Sequence, residues 1–290
     1  MRTRFAPSPT GPLHLGHAYS ALLAADLATR LGGQFLLRIE DIDQTRARPH
    51  WENRIYDDLT WLGLHWPQPV MRQSDRMPAY RTALDRLWSR GLIYACHCSR
   101  RDIREALAAP QEGMAALGPD GPVYPGTCRP ATPGSGTKAP RDVALRLNMA
   151  RAMNLIGEDI QFTEIGPEGT DHAIRRQSAT QMCQTVGDVV LARRDMDTSY
   201  HLSVVLDDAE QGITHVVRGA DLADATFIHV VLQRLLDLPS PIYLHHRLIR
   251  DPAGKRLAKR DDARAIALYR DEGKTPADIR RMVNLRPSGS

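Results

Sequence analysis

The chain has 290 residues, of which 42% are apolar and 25% are charged, a composition typical of a soluble globular protein with a sizeable core. Its net charge of +4 and isoelectric point near 9.0 permit a polyanionic partner without establishing one. No segment has the roughly 20 apolar residues of a membrane span, no apolar run follows residues 1–5 as in a secretory signal, and four cysteines are too few for a disulfide scaffold. We therefore expect a cytoplasmic protein without a membrane partner.

The N-terminal segment predicts a strand, a helix and a second strand in succession. The first strand covers residues 3–6 and ends at 7–12, where three prolines cannot continue a sheet. Apolar residues at helical spacing continue over 13–31, and two glycines follow them. Residues 35–39 predict a buried strand, which an acidic run at 40–43 follows. This order predicts a βαβ unit with a right-handed crossover, as in Rossmann-type α/β folds.

The middle of the chain alternates regular and irregular segments. Apolar spacing predicts two helices, near 51–62 and 80–88. Residues 108–139 are rich in glycine, proline and alanine and show little periodicity. We expect an insertion there that something other than an apolar core holds together.

Regular structure resumes towards the C-terminus. The pattern predicts strands at 188–193, 200–206 and 213–217 and a helix at 223–236. The resulting domain hypothesis has two halves of one Rossmann-type domain at 1–90 and 183–238, with an insertion between them at 91–182. A terminal segment with a loop and a short helical tail follows at 239–290.

The loop of residues 7–17 has the sequence Pro-Ser-Pro-Thr-Gly-Pro-Leu-His-Leu-Gly-His. It leaves the carboxyl end of a strand, where open α/β sheets bind ligands. It then enters a helix N-terminus, whose unpaired N–H groups and partial positive charge suit a phosphate. His14 and His17 share one face of the first turn, and Gly16 leaves room for a ring or a sugar near the backbone. The alternatives for the two histidines are a metal-binding pair or surface residues.

Three of the four cysteines, Cys96, Cys98 and Cys128, bracket the irregular insertion. Structural zinc takes four ligands in a tetrahedron and stabilises segments that have little core, so this spacing indicates a zinc site. His97 is the generic fourth ligand, but three consecutive ligands would strain one tetrahedron, and cysteines packed without zinc are the alternative. Cys183 is expected to be a small buried side chain.

Three separated segments resemble the class I aminoacyl-tRNA synthetases in their glutamyl and glutaminyl form. The first is Arg-Phe-Ala-Pro-Ser-Pro-Thr-Gly at 4–11 with His-Leu-Gly-His at 14–17, similar to the HIGH region of that family. The second is Arg-Ile-Glu-Asp-Ile-Asp at 38–43, and the third is Thr-His-Val-Val-Arg-Gly at 214–219. The resemblance covers residues 2–260 and implies a Rossmann-type class I catalytic domain with a zinc-containing insertion and a short helical C-terminal region.

For the ATP site, the resemblance implies that His14, Gly16 and His17 bind the nucleotide and that both histidines are catalytic, stabilising charge on the reacting phosphate. The basic run at 251–260 by itself predicts a turn and a solvated segment, but at this position it resembles the KMSKS loop. Lys259 would then be catalytic and bind ATP, neutralising charge on the pyrophosphate leaving group. Alanine replaces the serine of that motif, and Mg²⁺ is expected with the phosphates.

For the amino-acid site, the resemblance implies that Arg4, Ser8 and Arg218 hold the carboxylates of L-glutamate. Glu40 would take the ammonium group, and Tyr200 would line the same pocket. A guanidinium suits a carboxylate because it forms two parallel hydrogen bonds with it, and glutamine would leave such an arginine without a charge partner. Without the flanking motifs, the two arginines would be interpreted as surface residues at strand ends.

The resemblance also supplies the fourth metal ligand. In that family a tyrosine four residues before the last cysteine completes the site, and Tyr124 stands at this position. The implied set for one structural Zn²⁺ is therefore Cys96, Cys98, Tyr124 and Cys128.

Chain length narrows the resemblance further. Thirty residues follow Arg260, fewer than the roughly 50 of another domain, and with the cysteine spacing this resembles the glutamyl-Q tRNA(Asp) synthetases. That family activates L-glutamate with ATP in the absence of tRNA and transfers it to queuosine at the wobble position of tRNA(Asp). The implied partners are L-glutamate, ATP and this tRNA, and we expect a monomer. The alternatives are a truncated glutamyl-tRNA synthetase that charges the tRNA 3′ end, or a non-catalytic synthetase-derived RNA-binding paralogue.

Overall fold

The structure is a computed structural model, and it describes residues 1–108, 117–132, 136–169, 171–250 and 264–285. The basic run at 251–260, with Lys259, lies outside these ranges.

The first three elements form the predicted βαβ unit. Strand β1 is Arg2–Phe5, helix α1 is Leu15–Arg30 and strand β2 is Gln34–Ile39, and the two strands are parallel neighbours. Just beyond their carboxyl ends, the N–H of Glu40 donates to the carbonyl of Pro7 at 3.0 Å. The loop that the sequence predicted as a ligand site therefore lies where both strands end, and the prediction of this unit is confirmed.

The remaining elements follow in chain order. The helices are α2 Pro49–Trp61, α3 Met77–Ser89, α4 Arg100–Ala108, α5 Met149–Ile156, α6 Ala179–Gln181, α7 Tyr200–Glu210, α8 Thr226–Leu236, α9 Ile266–Asp271 and α10 Pro276–Met282. The strands are β3 Met71–Arg72, β4 Ile93–Cys96, β5 Leu117–Gly118, β6 Gly121–Pro122, β7 Ala144–Leu147, β8 Ile160–Ile165, β9 His172–Gln177, β10 Val190–Ala192, β11 His215–Gly219 and β12 Ile242–His246. The predicted helices α2, α3 and α8 and the predicted strands β10 and β11 are confirmed.

Two sheets meet edge to edge around the start of β1. One has the order β1-β2-β3 and is parallel, and the other has the order β11-β12-β8-β9 with only the last pair antiparallel. The N–H of Thr214 donates to the carbonyl of Arg2 at 3.0 Å, and the N–H of Arg2 donates to Thr214 Oγ1 at 2.8 Å. These bonds place β11 beside β1, as in the interrupted sheet of a Rossmann-type fold. A third sheet, β10-β7-β4, is antiparallel, and β5 and β6 form a short hairpin.

Residues 200–206 begin helix α7, so the prediction of a strand there was wrong. The segment is rich in aromatic and β-branched residues, which favour strands. Leu202, Val204 and Val205 are nevertheless all buried, together with the polar residues between and after them. A helix that is buried on several faces lacks the amphipathic pattern, with apolar residues at a period of 3.6, from which a helix is predicted. Ser199 fixes its start, since its side chain accepts the N–H of Leu202 at 3.4 Å.

Two large apolar cores hold these elements together. One lies among α3, α5, α8 and the antiparallel sheet, and the other lies among α1, α2, α9, α10 and the β1-β2 sheet. A membrane span needs about 20 apolar residues, and in the described ranges no helix has that combination of length and apolarity.

Candidate active site

A cleft of about 1020 Å³ opens at the carboxyl ends of β1 and β2. Its walls come from the loop after β1, the first turn of α1, the N-terminus of α7 and, on the far side, α4 and the β5–β6 hairpin. Four of the residues predicted for the ATP and amino-acid sites line it, namely Ser8, His17, Glu40 and Tyr200, and so does Cys98 of the predicted metal site. Five arginines line it as well, and two of them are ion-paired with carboxylates of the same lining: Arg46, Arg100, Arg146, Arg193 and Arg194. The other residues predicted for the ATP and amino-acid sites in the described ranges do not line it: Arg4, His14, Gly16 and Arg218.

His14 and His17 cap helix α1 reciprocally. Nδ1 of His14 accepts the N–H of Gly16, and Nδ1 of His17 accepts the N–H of His14, both at 3.1 Å. The ring centroids are 3.8 Å apart, which confirms that the two rings share one face. A neutral ring that accepts at Nδ1 carries its proton on Nε2, and this N–H suits a phosphate oxygen. A Cβ on residue 16 would lie 3.0 Å from Cε1 of His14, so a larger residue there would crowd the histidine ring.

Strand β2 brings a buried ion pair to the cleft. Arg38 is 0% exposed, and its Nη2 donates to Oε1 of Glu40 at 3.0 Å. The two side chains point the same way because residues two apart in a strand share a face. Burial raises the pKa of Glu40 above its ordinary value, although the guanidinium of Arg38 opposes this. Glu40 is therefore a largely desolvated acid at the wall of the cleft, and its ion-pair partner among the described residues is Arg38.

Arg4 is paired with Asp208, a residue of α7. Its Nε donates to Oδ1 at 2.9 Å and its Nη2 to Oδ2 at 3.3 Å, while its Nη1 donates to the carbonyl of Val217 at 3.4 Å. Asp208 also accepts from Nη1 of Arg38 at 2.6 Å. The contacts of Arg4 use three of the five N–H donors of a guanidinium. Its charge is compensated within the protein, and donors remain for a further oxygen.

Arg218 has a different environment from Arg4. Its Nη2 donates to Thr226 Oγ1 at 2.6 Å and to the carbonyl of Leu222 at 3.3 Å, its Nη1 to His229 Nδ1 at 3.0 Å, and its Nε to His245 Nε2 at 3.4 Å. Only 5% of Arg218 is exposed, and no carboxylate of the described ranges lies within ion-pair distance. Since a buried charge is costly without a partner of opposite sign, this guanidinium is suited to an anionic ligand.

Ser8 and Tyr200 lie on opposite walls of the cleft. Ser8 is exposed and belongs to the loop after β1, whereas Tyr200 is partly buried in the first turn of α7. The Tyr200 ring makes edge contacts with the rings of His201 and His229, at centroid distances of 5.5 and 5.8 Å. Burial raises the pKa of Tyr200, so its hydroxyl is a neutral donor or acceptor towards the cleft.

Cys96, Cys98 and Cys128 form a cluster whose sulfur atoms all lie within 4.8 Å of one another. Strand β4 supplies the first, and the loop after β6 supplies the last. The hydroxyl of Tyr124 lies 3.4 Å from Sγ of Cys96 and 3.3 Å from Sγ of Cys98, and it accepts the N–H of Cys128 at 2.8 Å. Against burial, hydrogen bonds from Tyr124, Cys98 and backbone N–H groups lower the pKa of Cys128 to about 7, which favours a thiolate.

This donor set fits a tetrahedral metal ion. A zinc ion with Zn–S bonds of about 2.3 Å has ligand atoms roughly 3.8 Å apart, close to the separations in this cluster. His97, the generic alternative for the fourth position, is exposed and is not part of the cluster. Cys183 is partly buried in the turn Met182–Val186 and also lies outside it.

The sequence analysis missed several polar residues that surround the cleft. Each had a signal: Arg38 is a charged residue within an otherwise apolar strand, and Asp208 is half of an acidic pair that follows a buried run. His201 and His229 occur in segments that are otherwise apolar, and their rings join at 3.1 Å through Nδ1 and Nε2 respectively. Buried polar residues of this kind need hydrogen-bond partners, and here Arg38 bonds with Asp208 and His201 bonds with His229.

Comparison with known proteins gives one family over nearly the whole chain. Residues 1–288 match the model of the catalytic domain of class I tRNA synthetases for E and Q. The chain is 63% identical over 287 residues to a protein of Rhodobacter capsulatus named glutamyl-Q tRNA(Asp) synthetase, covering 98% of this chain and 100% of that protein. It is 41% identical over 286 residues to the protein of the same name from Symbiobacterium thermophilum, covering 95% and 83%.

Solved structures give the same fold. A glutamate tRNA ligase from Elizabethkingia meningosepticum, crystallised with its amino acid, matches with a TM-score of 0.72 at 26% identity. The match covers 97% of this chain, which spans only 60% of that ligase. Methionyl-tRNA synthetase from Mycobacterium tuberculosis, at 14% identity and a TM-score of 0.58, shares the fold alone.

Proposed function

The chain belongs to the class I tRNA synthetases of the glutamyl and glutaminyl type, and from this premise we propose that it activates L-glutamate with ATP and transfers the glutamate to queuosine in tRNA(Asp). Two relatives that it matches over most of their length carry the name of this activity. The structural observation that supports the proposal most directly is Arg218, a buried guanidinium whose hydrogen-bond partners among the described residues are all neutral acceptors. A substrate carboxylate would supply its missing counter-charge.

The side-chain carboxylate of glutamate is the better partner for Arg218. The α-carboxylate must attack the α-phosphate of ATP, and a buried guanidinium would neutralise the charge that makes it a nucleophile. Glu40, whose ion-pair partner among the described residues is Arg38 and not Arg218, would take the substrate ammonium. Ser8, Tyr200 and the remaining donors of Arg4 would contact the rest of the amino acid.

ATP would lie along the first turn of α1. Nε2 of His14 and of His17 and the backbone at Gly16 suit the phosphates, and Mg²⁺ would accompany them. The α-carboxylate displaces pyrophosphate to give a mixed anhydride with AMP, and Lys259 would stabilise the leaving group. A hydroxyl of the queuosine nucleoside then attacks the anhydride and releases AMP. No side chain forms a covalent bond in this scheme, so positioning and fixed charge supply the rate.

We propose one structural Zn²⁺ at Cys96, Cys98, Tyr124 and Cys128. The ion would hold together a segment of the chain that has little apolar core of its own, because among its described residues the buried cluster consists of Tyr94, Cys96 and Tyr124. Its contribution is to stability, and no step of the reaction passes through it.

Glutamate-dependent exchange of labelled pyrophosphate into ATP, measured without tRNA, tests the activation step. Exchange is the expected result, and its absence in folded, zinc-loaded protein would contradict the proposal. The position of labelled glutamate on tRNA, found by nuclease digestion and mass spectrometry, tests the transfer step. We expect the label on the anticodon fragment. Label on the 3′-terminal adenosine would indicate a truncated glutamyl-tRNA synthetase, and binding without either reaction would indicate an RNA-binding paralogue.

A further inference from the structure

Arg218 stands apart from the other buried arginines of the described ranges. Arg4 and Arg38 share Asp208, and Arg280 donates to both oxygens of Asp26 at 2.8 Å. Arg218 instead meets a hydroxyl, a carbonyl and two imidazoles. Three of these buried guanidiniums are therefore paired with carboxylates, whereas the fourth is hydrogen-bonded to neutral acceptors.

Two carboxylates are linked to Arg218 through imidazole rings and do not contact it. Glu164 Oε1 lies 2.5 Å from Nδ1 of His245, whose Nε2 faces Nε of Arg218. Asp120, in the β5–β6 hairpin, lies 3.1 Å from Nε2 of His201. In both directions imidazole rings separate the negative charge from the guanidinium.

Hydrogen-bond logic fixes the ring between Arg218 and His201. A guanidinium can only donate, so Nδ1 of His229 must accept and its proton lies on Nε2. That N–H donates to Nδ1 of His201 at 3.1 Å, which leaves the proton of His201 on Nε2 for Asp120. His229 is 2% exposed, and burial and the charge of Arg218 lower its pKa well below the ordinary value, so this ring is neutral. The ring is thus held from both sides in one tautomer.

We propose that His229 is a positioning residue that fixes the guanidinium of Arg218 without neutralising it, and that it thereby selects an anionic side chain in the substrate over a neutral one. The inference rests on the proposed function and names the source of its preference for glutamate over glutamine. His245 has the same positioning role at Nε of Arg218. Burial and the charge of Arg218 lower the pKa of His245 to about 4. A carboxylate in place of either ring would occupy Arg218 as Asp208 occupies Arg4, and the substrate would lose its counter-charge.

The test compares His229→Asn with His229→Asp in the pyrophosphate exchange assay on the full chain. Both replacements are close in size and both can accept from Arg218, but only the aspartate adds a charge. We expect His229→Asn to raise the KM for glutamate by about tenfold or less, since one neutral hydrogen bond is altered. We expect His229→Asp to raise it by about 100-fold with little change in the KM for ATP, since a buried charge contact is lost. The ratio of kcat/KM for glutamate over glutamine should fall only in the aspartate variant.

An equal rise in the KM for glutamate in the two variants would overturn the proposal, because the added negative charge would then have no effect of its own. An unchanged KM for glutamate in both variants would overturn it as well. Thr226 offers a second pair should His229→Asp not fold, since its Oγ1 lies 2.6 Å from Nη2 of Arg218 at the start of α8. We expect Thr226→Asp to raise the KM for glutamate and lower the preference for glutamate over glutamine far more than Thr226→Asn does. Absence of exchange in the unaltered protein would count against the proposed function, whereas exchange with no difference between the paired variants would count against this inference alone.

Discussion

Asp208 in α7 accepts two hydrogen bonds from Arg4 in β1, at 2.9 and 3.3 Å, across 204 residues of sequence. It also accepts one from Arg38 at 2.6 Å. Burial alone would raise the pKa of Asp208, but the two guanidiniums hold it below its usual range. One carboxylate therefore joins the first two strands of the sheet to the helix that forms the opposite wall of the cleft.

Replacing Asp208 by Asn should lower the free energy of unfolding by about 3–5 kcal/mol, because the buried guanidinium of Arg4 would lose its ion-pair partner and that of Arg38 would keep only Glu40 and Asp207. The measurement is the urea midpoint and slope. Asp195→Asn is the matched control: its partner Arg193 is exposed, with 46% of the side chain accessible, and such a pair contributes less than about 1 kcal/mol. Equal losses in the two variants would contradict the assigned role of Asp208.

The cysteine cluster predicts one zinc ion per chain. Tyr124→Phe keeps the buried ring and removes only the hydroxyl, so we expect the packing to survive while zinc affinity falls by more than about tenfold. Cys128→Ser should abolish stoichiometric binding, and Cys183→Ser should retain it because Cys183 lies outside the cluster. Competition with a chromophoric chelator and elemental analysis measure both quantities. Full zinc affinity in Tyr124→Phe would exclude the tyrosine as a ligand.

Local patterns in the sequence predicted the βαβ unit correctly because it depends on nearby residues, and the three cysteines that the sequence singled out do lie together in the fold. The strand predicted at 200–206 failed because α7 is buried on several faces. The buried polar network was not predicted for another reason. Asp208 and Arg4 are far apart in the sequence, and no local pattern indicates that the fold pairs them. The resemblance gave Arg4 and Arg218 the same role, and only their partners, a carboxylate and neutral acceptors, distinguish them.

Ser199→Ala tests the start of α7, the element that the sequence pattern misassigned. Ser199 is the N-cap, and its loss should lower the free energy of unfolding by about 1 kcal/mol. Thr29→Ala in α1 serves as the control, because the Thr29 hydroxyl donates to the carbonyl of Ala25 within the same helix and caps nothing. We expect no loss there. An undiminished stability in Ser199→Ala would show that packing alone determines where α7 begins.

The pH dependence of activity tests the role of Glu40. If its carboxylate takes the substrate ammonium, glutamate binds only while Glu40 is ionised. Burial raises the pKa of Glu40, so kcat/KM for glutamate should fall on acidification at a higher pH than an exposed glutamate would give, and should be independent of this group at higher pH. Glu40→Gln should raise the KM at neutral pH by about 10- to 100-fold and should lack this acid limb.

Comparing the two pH profiles removes the titration of ATP and of free glutamate, which affects both enzymes equally. An acid limb of the same midpoint in Glu40→Gln would assign the titration to another group. A normal KM in that variant would separate Glu40 from the ammonium altogether. The remaining explanation of its position would then be structural, because Glu40 is also the partner of Arg38, a guanidinium with no exposed surface. Loss of stability without loss of affinity would be the signature of that role.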